Sequence, residues 1–343
     1  MAVSAARLAP LALTLAAAVA GGGLFVLAGL PAPWLAGGSL ATAGLALARV
    51  GGDVPDPLVN AALLVLGASM GTGVTPEAVA LMGTWPGSLA GLVLSVVGII
   101  GGSTLFLVMC GWDRMTALYA SLPGALTATL VLAAQSGADV PRVAVAQTLR
   151  VLVLVALVPL VAVGVGDGAV RQAAAAAPDL AEILLVAAVC VPAGWLAHRL
   201  RVPAGLLLGA FAASAALHVT GVATAPLPDL VVIPGFVLLA AMIGRRFAVV
   251  SAREIVRLTI PAVGLLVVGT LVSIGSALVV SRLAGLPLAQ VFIAYAPGGL
   301  EAMILMAPAL GIDPAYVAVH QVTRFLAILA MLPFLTAAIR RWP

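Results

Sequence analysis

Lysine is missing from this chain and acids are scarce: all 16 basic residues are arginine, Asp and Glu together number 12, and 8% of the 343 residues are charged. A soluble domain carries about a quarter charged residues, so no water-facing surface can be assembled from this composition. Aromatic residues make up 5%, and no basic stripe is interleaved with them, so the formal charge of +4 gives no sign of a nucleic-acid surface. Only two cysteines are present, Cys110 and Cys190, both inside apolar runs, which argues against a disulfide or a metal pair. The three histidines, His198, His218 and His320, are too scattered to hold copper or iron. HExxH, GxSxG and Walker loops are all lacking, so no catalytic set emerges, and neither an enzyme nor a cofactor is expected.

What is abundant is apolar sequence, 63% of the residues, with a mean hydropathy of +1.24. Stretches of roughly twenty such residues recur from Leu8 to Arg340, each long enough to cross a hydrocarbon core of about 30 Å as a helix. Lipid offers backbone amides no partner, so an all-helical membrane bundle follows, and runs such as Val151 to Val165 lack the alternation of a β-barrel. The first stretch, after Arg7 and ending at Gly21, has the form of a signal peptide. A counterpart at Leu180 to Leu196 makes it part of a repeated unit instead.

Laid on itself at a shift of 172 to 174 positions, the chain shows a duplication. Leu122, Pro123, Gly124, Ala125 and Leu126 fall over Ala296, Pro297, Gly298, Gly299 and Leu300. Gly137 and Asp139 fall over Gly311 and Asp313, Gln147 over Gln321, and Arg150 over Arg324. Earlier anchors are Pro31 over Pro203, Gly37 over Gly209, Asp56 over Asp229 and Gly71 over Gly244. Chance likeness between apolar runs would align Leu with Val, and would not keep Pro, Gly, Asp, Gln and Arg in register. Residues 1–170 and 171–343 are therefore read as two repeats.

Spanning segments are predicted near 9–28, 33–50, 57–74, 86–110 and 142–165, and again near 180–198, 203–222, 230–246, 258–281 and 315–339. Each half also holds an apolar stretch broken by Pro-Gly, Met115–Ser136 and Pro287–Leu310. If these stretches span, the copies are parallel; if they dip in and return, each half crosses five times and the copies are inverted. With returning hairpins and an inside N-terminus, twelve arginines fall inside and only Arg171 and Arg282 outside, as the positive-inside rule favours. The expected fold is all-α and polytopic: two inverted repeats, each of about five transmembrane helices plus a re-entrant or broken helical hairpin.

Four ionisable residues belong to predicted membrane depth: Arg150, Glu301, His320 and Arg324. A charge there costs about 3 kcal/mol, so each must be paired or face a wet cavity. Gln147 and Gln321 precede the two arginines by three residues, on neighbouring strips of the same helix. Thr127 stands where the second half has Glu301, and the Pro123-Gly124 and Pro297-Gly298-Gly299 breaks free backbone N–H groups that suit an anion. These twelve residues form the candidate site for a small solute. In the competing structural reading the arginines bond carbonyls freed at the breaks, Glu301 neutralises one of them, and His320 is a packing residue. Asp139 and Asp313 read as N-caps. Gly67, Gly71, Gly98 and Gly102 read as contacts for close helix packing.

The two Pro-Gly-x-Leu stretches, each followed by Gly-x-Asp, then Val-Ala-x-x-Gln and a membrane arginine, resemble the AbrB family of duplicated bacterial membrane proteins. Pro297, Gly298, Gly299, Leu300, Glu301, Met303, His320 and Arg324 fit its second-half motif. The first half departs from it at Ala125, Thr127 and Thr129. That resemblance implies a multi-pass inner-membrane protein, and the family carries labels of gene-expression regulator and of ammonia monooxygenase. The layout is also similar to that of sodium-coupled glutamate and citrate carriers. The expectation is a secondary permease of a small anionic solute, with the bilayer as partner, a coupling ion and a homo-oligomer left open, and no nucleic acid. The alternative is a membrane-embedded regulator; an ammonia-oxidising enzyme stands third.

Overall fold

A computed structural model describes residues 5–72, 74, 76–123, 126–165, 179–202, 204–249 and 252–341, and among them there is no strand. The first half forms α1 (Ala5–Leu27), α2 (Pro33–Leu47), α3 (Asp56–Gly71), the short α4 (Pro76–Leu81), α5 (Pro86–Met109), α6 (Arg114–Ser121), α7 (Leu126–Gln135) and α8 (Val140–Val165). The second forms α9 (Leu180–Arg199), α10 (Gly205–Val219), α11 (Asp229–Arg245), α12 (Ala252–Ala284), α13 (Leu288–Tyr295), α14 (Leu300–Ala309) and α15 (Pro314–Arg341). Among the described residues, seven helices are long and apolar enough to cross a membrane, from Leu8–Leu27 to Pro314–Leu332, which is the architecture of a polytopic membrane protein.

The segments predicted at 33–50, 57–74 and 203–222 are shorter than expected, with 15, 16 and 15 helical residues, roughly 22–24 Å at 1.5 Å per residue. The cause at α2 and α10 is a left-handed residue just past the end, Arg49 (φ 59°) and Gly221 (φ 73°). There Val50 N–H bonds Leu45 O and Val222 N–H bonds Leu217 O, the six-to-one closure that stops a helix. Left-handed residues recur at the repeat shift: Gly29 with Arg201, Ala32 with Ala204, Gly111 with Gly285, and Gly137 with Gly311.

The helices sort into two compact units, and each takes helices from both sequence halves. The first unit (Met1–Met82, Pro159–Val249 and Ile304–Ala315) packs α1, α2 and α3 with α9, α10 and α11. Lipid gives helices no hydrophobic reason to associate, so contacts form where small residues let backbones approach. Gly21 lies on the Gly37 carbonyl between α1 and α2, as Gly194 lies beside Gly209 between α9 and α10. Contacts between the halves are reciprocal. Gly71 on α3 meets Ser214 on α10, while Gly244 on α11 meets Thr42 on α2. Ser214 Oγ donates to Ala68 O at 2.6 Å, and Thr42 Oγ1 to Ala240 O at 3.2 Å. Each residue in one contact is the repeat counterpart of a residue in the other. Gly67 and Gly71 thus serve close packing, as their spacing predicts.

The second unit (Gly83–Val158, Val250–Met303 and Tyr316–Pro343) is built on α5 and α12. Gly91 faces Val280, Gly98 faces Val272, Gly102 faces Val268, and Phe106 faces Gly264, so the two helices cross antiparallel. Beside them the chain doubles back at each Pro-Gly break. Gln147 on α8 donates to Tyr119 O on α6, and Arg150 to Leu122 O, both at 2.8 Å, so α8 runs alongside α6 in the same direction. For α8 to begin level with the start of α6, α7 must return. Asp139 N–H accordingly reaches Thr116 Oγ1 at 2.7 Å, and Tyr119 Oη bonds Ser136 Oγ at 2.7 Å. Gln321 and Arg324 on α15 meet the end of α13 in the same register, so α14 returns likewise.

Candidate functional site

Each fold-back leaves a short helix ending inside the unit with carbonyls that have no helical partner. At the end of α13, Gln321 Nε2 donates to Ile293 O at 3.2 Å and to Ala294 O at 3.3 Å. Arg324 donates to Ala296 O through Nη1 and to Gly298 O, at 2.8 Å, through Nη2. At the end of α6, Gln147 and Arg150 do the same for Tyr119 O and Leu122 O. A cation at a helix C-terminus also opposes the dipole there. Both arginines stand ten residues into their helices, about 15 Å from the start, and are 3% and 1% exposed. The structural reading of the arginines, as caps on the breaks, is therefore realised in both halves.

The second break is surrounded by helices from both halves. Pro297 packs where Ile99 and Ser103 of α5 approach Gly269 of α12, and Gly299 approaches Val151 of α8. Gly298 N–H folds onto Ala296 O at 2.8 Å, and a side chain at Gly298 would strike Met303. Pro123 is buried at the first break. Gly124 lies outside the described residues, and Thr127 and Glu301 are placed in the first turns of α7 and α14 by backbone alone. Asp139 and Asp313 cap as predicted, accepting from Arg142 N at 3.1 Å and from Ala315 N at 2.8 Å.

His320 belongs to a cluster that sequence reasoning did not assemble. Its Nε2 lies 2.9 Å from Ser88 Oγ at the start of α5, and its Nδ1 lies 2.8 Å from Tyr316 O. Ser88 Oγ also bonds the Tyr316 hydroxyl, and the Tyr295 hydroxyl donates to Ser88 O. Trp85 closes the cluster edge-on to Tyr316, ring centroids 5.4 Å apart. Tyr316 stands four residues before His320, a spacing that brings them together on a helix and was the one signal available. Ser88 gives none, being 232 positions away.

Several buried polar atoms of this unit have no hydrogen-bond partner among the described residues: Ser95, Ser103 and Thr104 on α5, Ser273 on α12, Arg150 Nε and Gln321 Oε1. The contrast with other hydroxyls is informative. Ser121 and Ser276 bond the carbonyl four residues back, at 2.7 and 2.8 Å, an option open to any helical serine. Ser95, Ser103 and Ser273 do not take it. Ser95, Ile99 and Ser103 share one strip of α5, and that strip meets Gly269, one turn from Ser273, and Pro297 of the break.

The chain matches the sequence model of a protein family. Its profile, described as Transition state regulatory protein AbrB, covers residues 34–340, and the chain belongs to that family. The chain is 29% identical over 246 residues to a Bacillus subtilis (strain 168) protein named "Uncharacterized protein YhjN", covering 64% of this chain and 62% of that one. It is 26% identical over 311 residues to the Escherichia coli (strain K12) protein named "Putative regulator AbrB", covering 89% of each.

Proposed function

We propose that this protein is a secondary permease of the bacterial inner membrane, moving a small anionic solute past the two Pro-Gly breaks by alternating access. The observation that carries the reading is the set of buried, unpartnered polar atoms in the second unit, of which Ser103 lies beside Pro297 of the second break. An unmade buried hydrogen bond costs about 1–3 kcal/mol, so a membrane interior that keeps several is built for a polar occupant. The occupant's charge follows from counting: Arg150 and Arg324 against Glu301 leave one positive charge, which a monoanion neutralises. The N-terminus of α14 adds its free N–H groups on the same side of the ledger.

Inverted repeats, the arrangement that suits alternating access, are favoured by α5 and α12. They are repeat counterparts, yet they cross antiparallel. Two copies related by an axis along the membrane normal would set counterpart helices parallel. An axis in the membrane plane sets them antiparallel, and five crossings plus a re-entrant hairpin per half give that relation. Proteoliposomes loaded with a panel of small carboxylates and inorganic anions test the function by counterflow. Saturable flux of one anion is the expected result; no flux of any, from protein shown to be folded, overturns the reading. An Arg324→Ala protein that folds and moves the same anion equally well overturns the site.

The names of the family and of the Escherichia coli relative favour a second reading, a membrane-embedded regulator of gene expression. Such a protein acts through a cytoplasmic surface, and 245–257 is the largest such loop predicted. Loss of an expression response on removing its arginines, with flux unchanged, favours that reading.

A further inference from the structure

We infer that His320 is the residue at which this protein binds and releases a coupling proton, with Ser88 and Tyr316 as the groups that allow it to carry the charge. The use of that proton rests on the permease reading; its binding does not. The argument begins with what each ring nitrogen faces. Nδ1 lies 2.8 Å from Tyr316 O, and a carbonyl can only accept, so Nδ1 carries hydrogen whatever the charge of the ring. Nε2 lies 2.9 Å from Ser88 Oγ, and a hydroxyl can donate or accept.

In the neutral ring, Ser88 O–H donates to the Nε2 lone pair while Ser88 Oγ accepts from the Tyr316 hydroxyl. When a proton is added to Nε2, the new N–H donates to Ser88 Oγ. The serine hydrogen then turns to the Tyr295 oxygen 3.5 Å away, whose own hydrogen goes to Ser88 O, while Tyr316 continues to donate to Ser88 Oγ. Both hydrogen bonds of the ring survive, and no covalent bond breaks. A packing histidine whose Nε2 accepted from a backbone N–H would lose that bond on protonation; this one does not. The ring cannot rotate out of the arrangement, because Tyr316 stacks on it at 3.9 Å between centroids and the side chain has no exposed surface.

Every element packed on the ring bears on the charge. Trp85, just before α5, and Ser88 on it do not titrate; α13 contributes Tyr295; α15 contributes Tyr316 and, one turn on, Arg324. Arg324 stands one turn on from His320 along the same helix, a rise of about 6 Å. A protonated His320 and a bare Arg324 repel, and an anion held by Arg324 relieves the repulsion. Proton and anion then raise each other's affinity by the same factor, which is the coupling a symporter needs.

The test uses the full chain in lipid nanodiscs, labelled with 15N-histidine, with the proton itself as probe. Only three histidines are present, so a His320→Gln protein assigns the signal. The expected result is an Nδ1–H tautomer at alkaline pH that converts reversibly to imidazolium, and a loss of that conversion over the same range in Ser88→Ala, which removes the acceptor for Nε2–H. Ser88→Thr, which restores a hydroxyl, should restore it. A His320 that remains one neutral tautomer down to the pH where the protein unfolds overturns the inference. So does a Ser88→Ala protein that titrates like the parent. A titrating His320 in a folded protein that moves no anion upholds proton binding and overturns the permease.

Discussion

Gly98 lies against Val272, and the two residues hold the same position in the two halves of the chain. A helix and its counterpart in the other half therefore touch at corresponding points. An added Cβ at Gly98 would stand 3.1 Å from Val272 Cγ1, so the crossing tolerates one large residue and one small one. Gly98→Val is expected to lower stability by about 1–3 kcal/mol through overpacking. Exchanging the pair, Gly98→Val with Val272→Gly, should recover most of that loss. Thermal unfolding in detergent measures both, and a swap no better than the single variant would show that the two positions are not interchangeable.

Removing an arginine sets two costs against each other. Arg324→Ala strands Ala296 O and Gly298 O at about 1–3 kcal/mol each, but it also removes a buried charge costing about 3 kcal/mol. The expected fall in stability is therefore small, while anion flux drops at least about ten-fold. Arg324→Gln, able to serve one of the two carbonyls, should lie between parent and Ala in stability and remain inactive.

Hydroxyls without partners predict the opposite of the usual serine result. Ser95→Ala, Ser103→Ala and Ser273→Ala should leave thermal stability unchanged or raise it by up to about 1 kcal/mol, because no bond is lost. Ser214→Ala, which loses a 2.6 Å bond to Ala68 O, should lower it by about 1 kcal/mol. With the transported anion added, the parent should gain more melting temperature than the three alanine variants do. Equal gains in all of them would remove these serines from the site.

A chain that doubles back at each break puts Arg114 and Asp139 on one side of the membrane. With Cys110 and Cys190 replaced, single cysteines at positions 114 and 139 should react with an impermeant maleimide from the same side only. Labelling from opposite sides would mean that α6 and α7 cross.

Much of this was legible because membrane sequences expose their constraints. Glycines, prolines, aspartates and arginines stand out against an apolar background, and those are the residues that end helices, cap them or let backbones touch. Arg150, Arg324, Gln147 and Gln321 could thus be placed beside the breaks from spacing alone. What spacing could not supply was partnership across 200 residues: Ser88 carries no charge and no local pattern, so its place against His320 came only from the fold. The sorting of helices into two units was hidden for the same reason, since α3 and α10 meet through contacts far apart in sequence. The short α2 and α10 were overestimated because hydropathy does not register a left-handed stop.

The reciprocal grip of α2 on α11 and α3 on α10 bears on ancestry. A single half, made alone, would display a groove shaped for another copy of itself. Before fusion, the gene product would have worked as a homodimer. Coexpressed as two separate fragments, residues 1–170 and 171–343 should find each other and rebuild both units, whereas neither fragment alone should be stable.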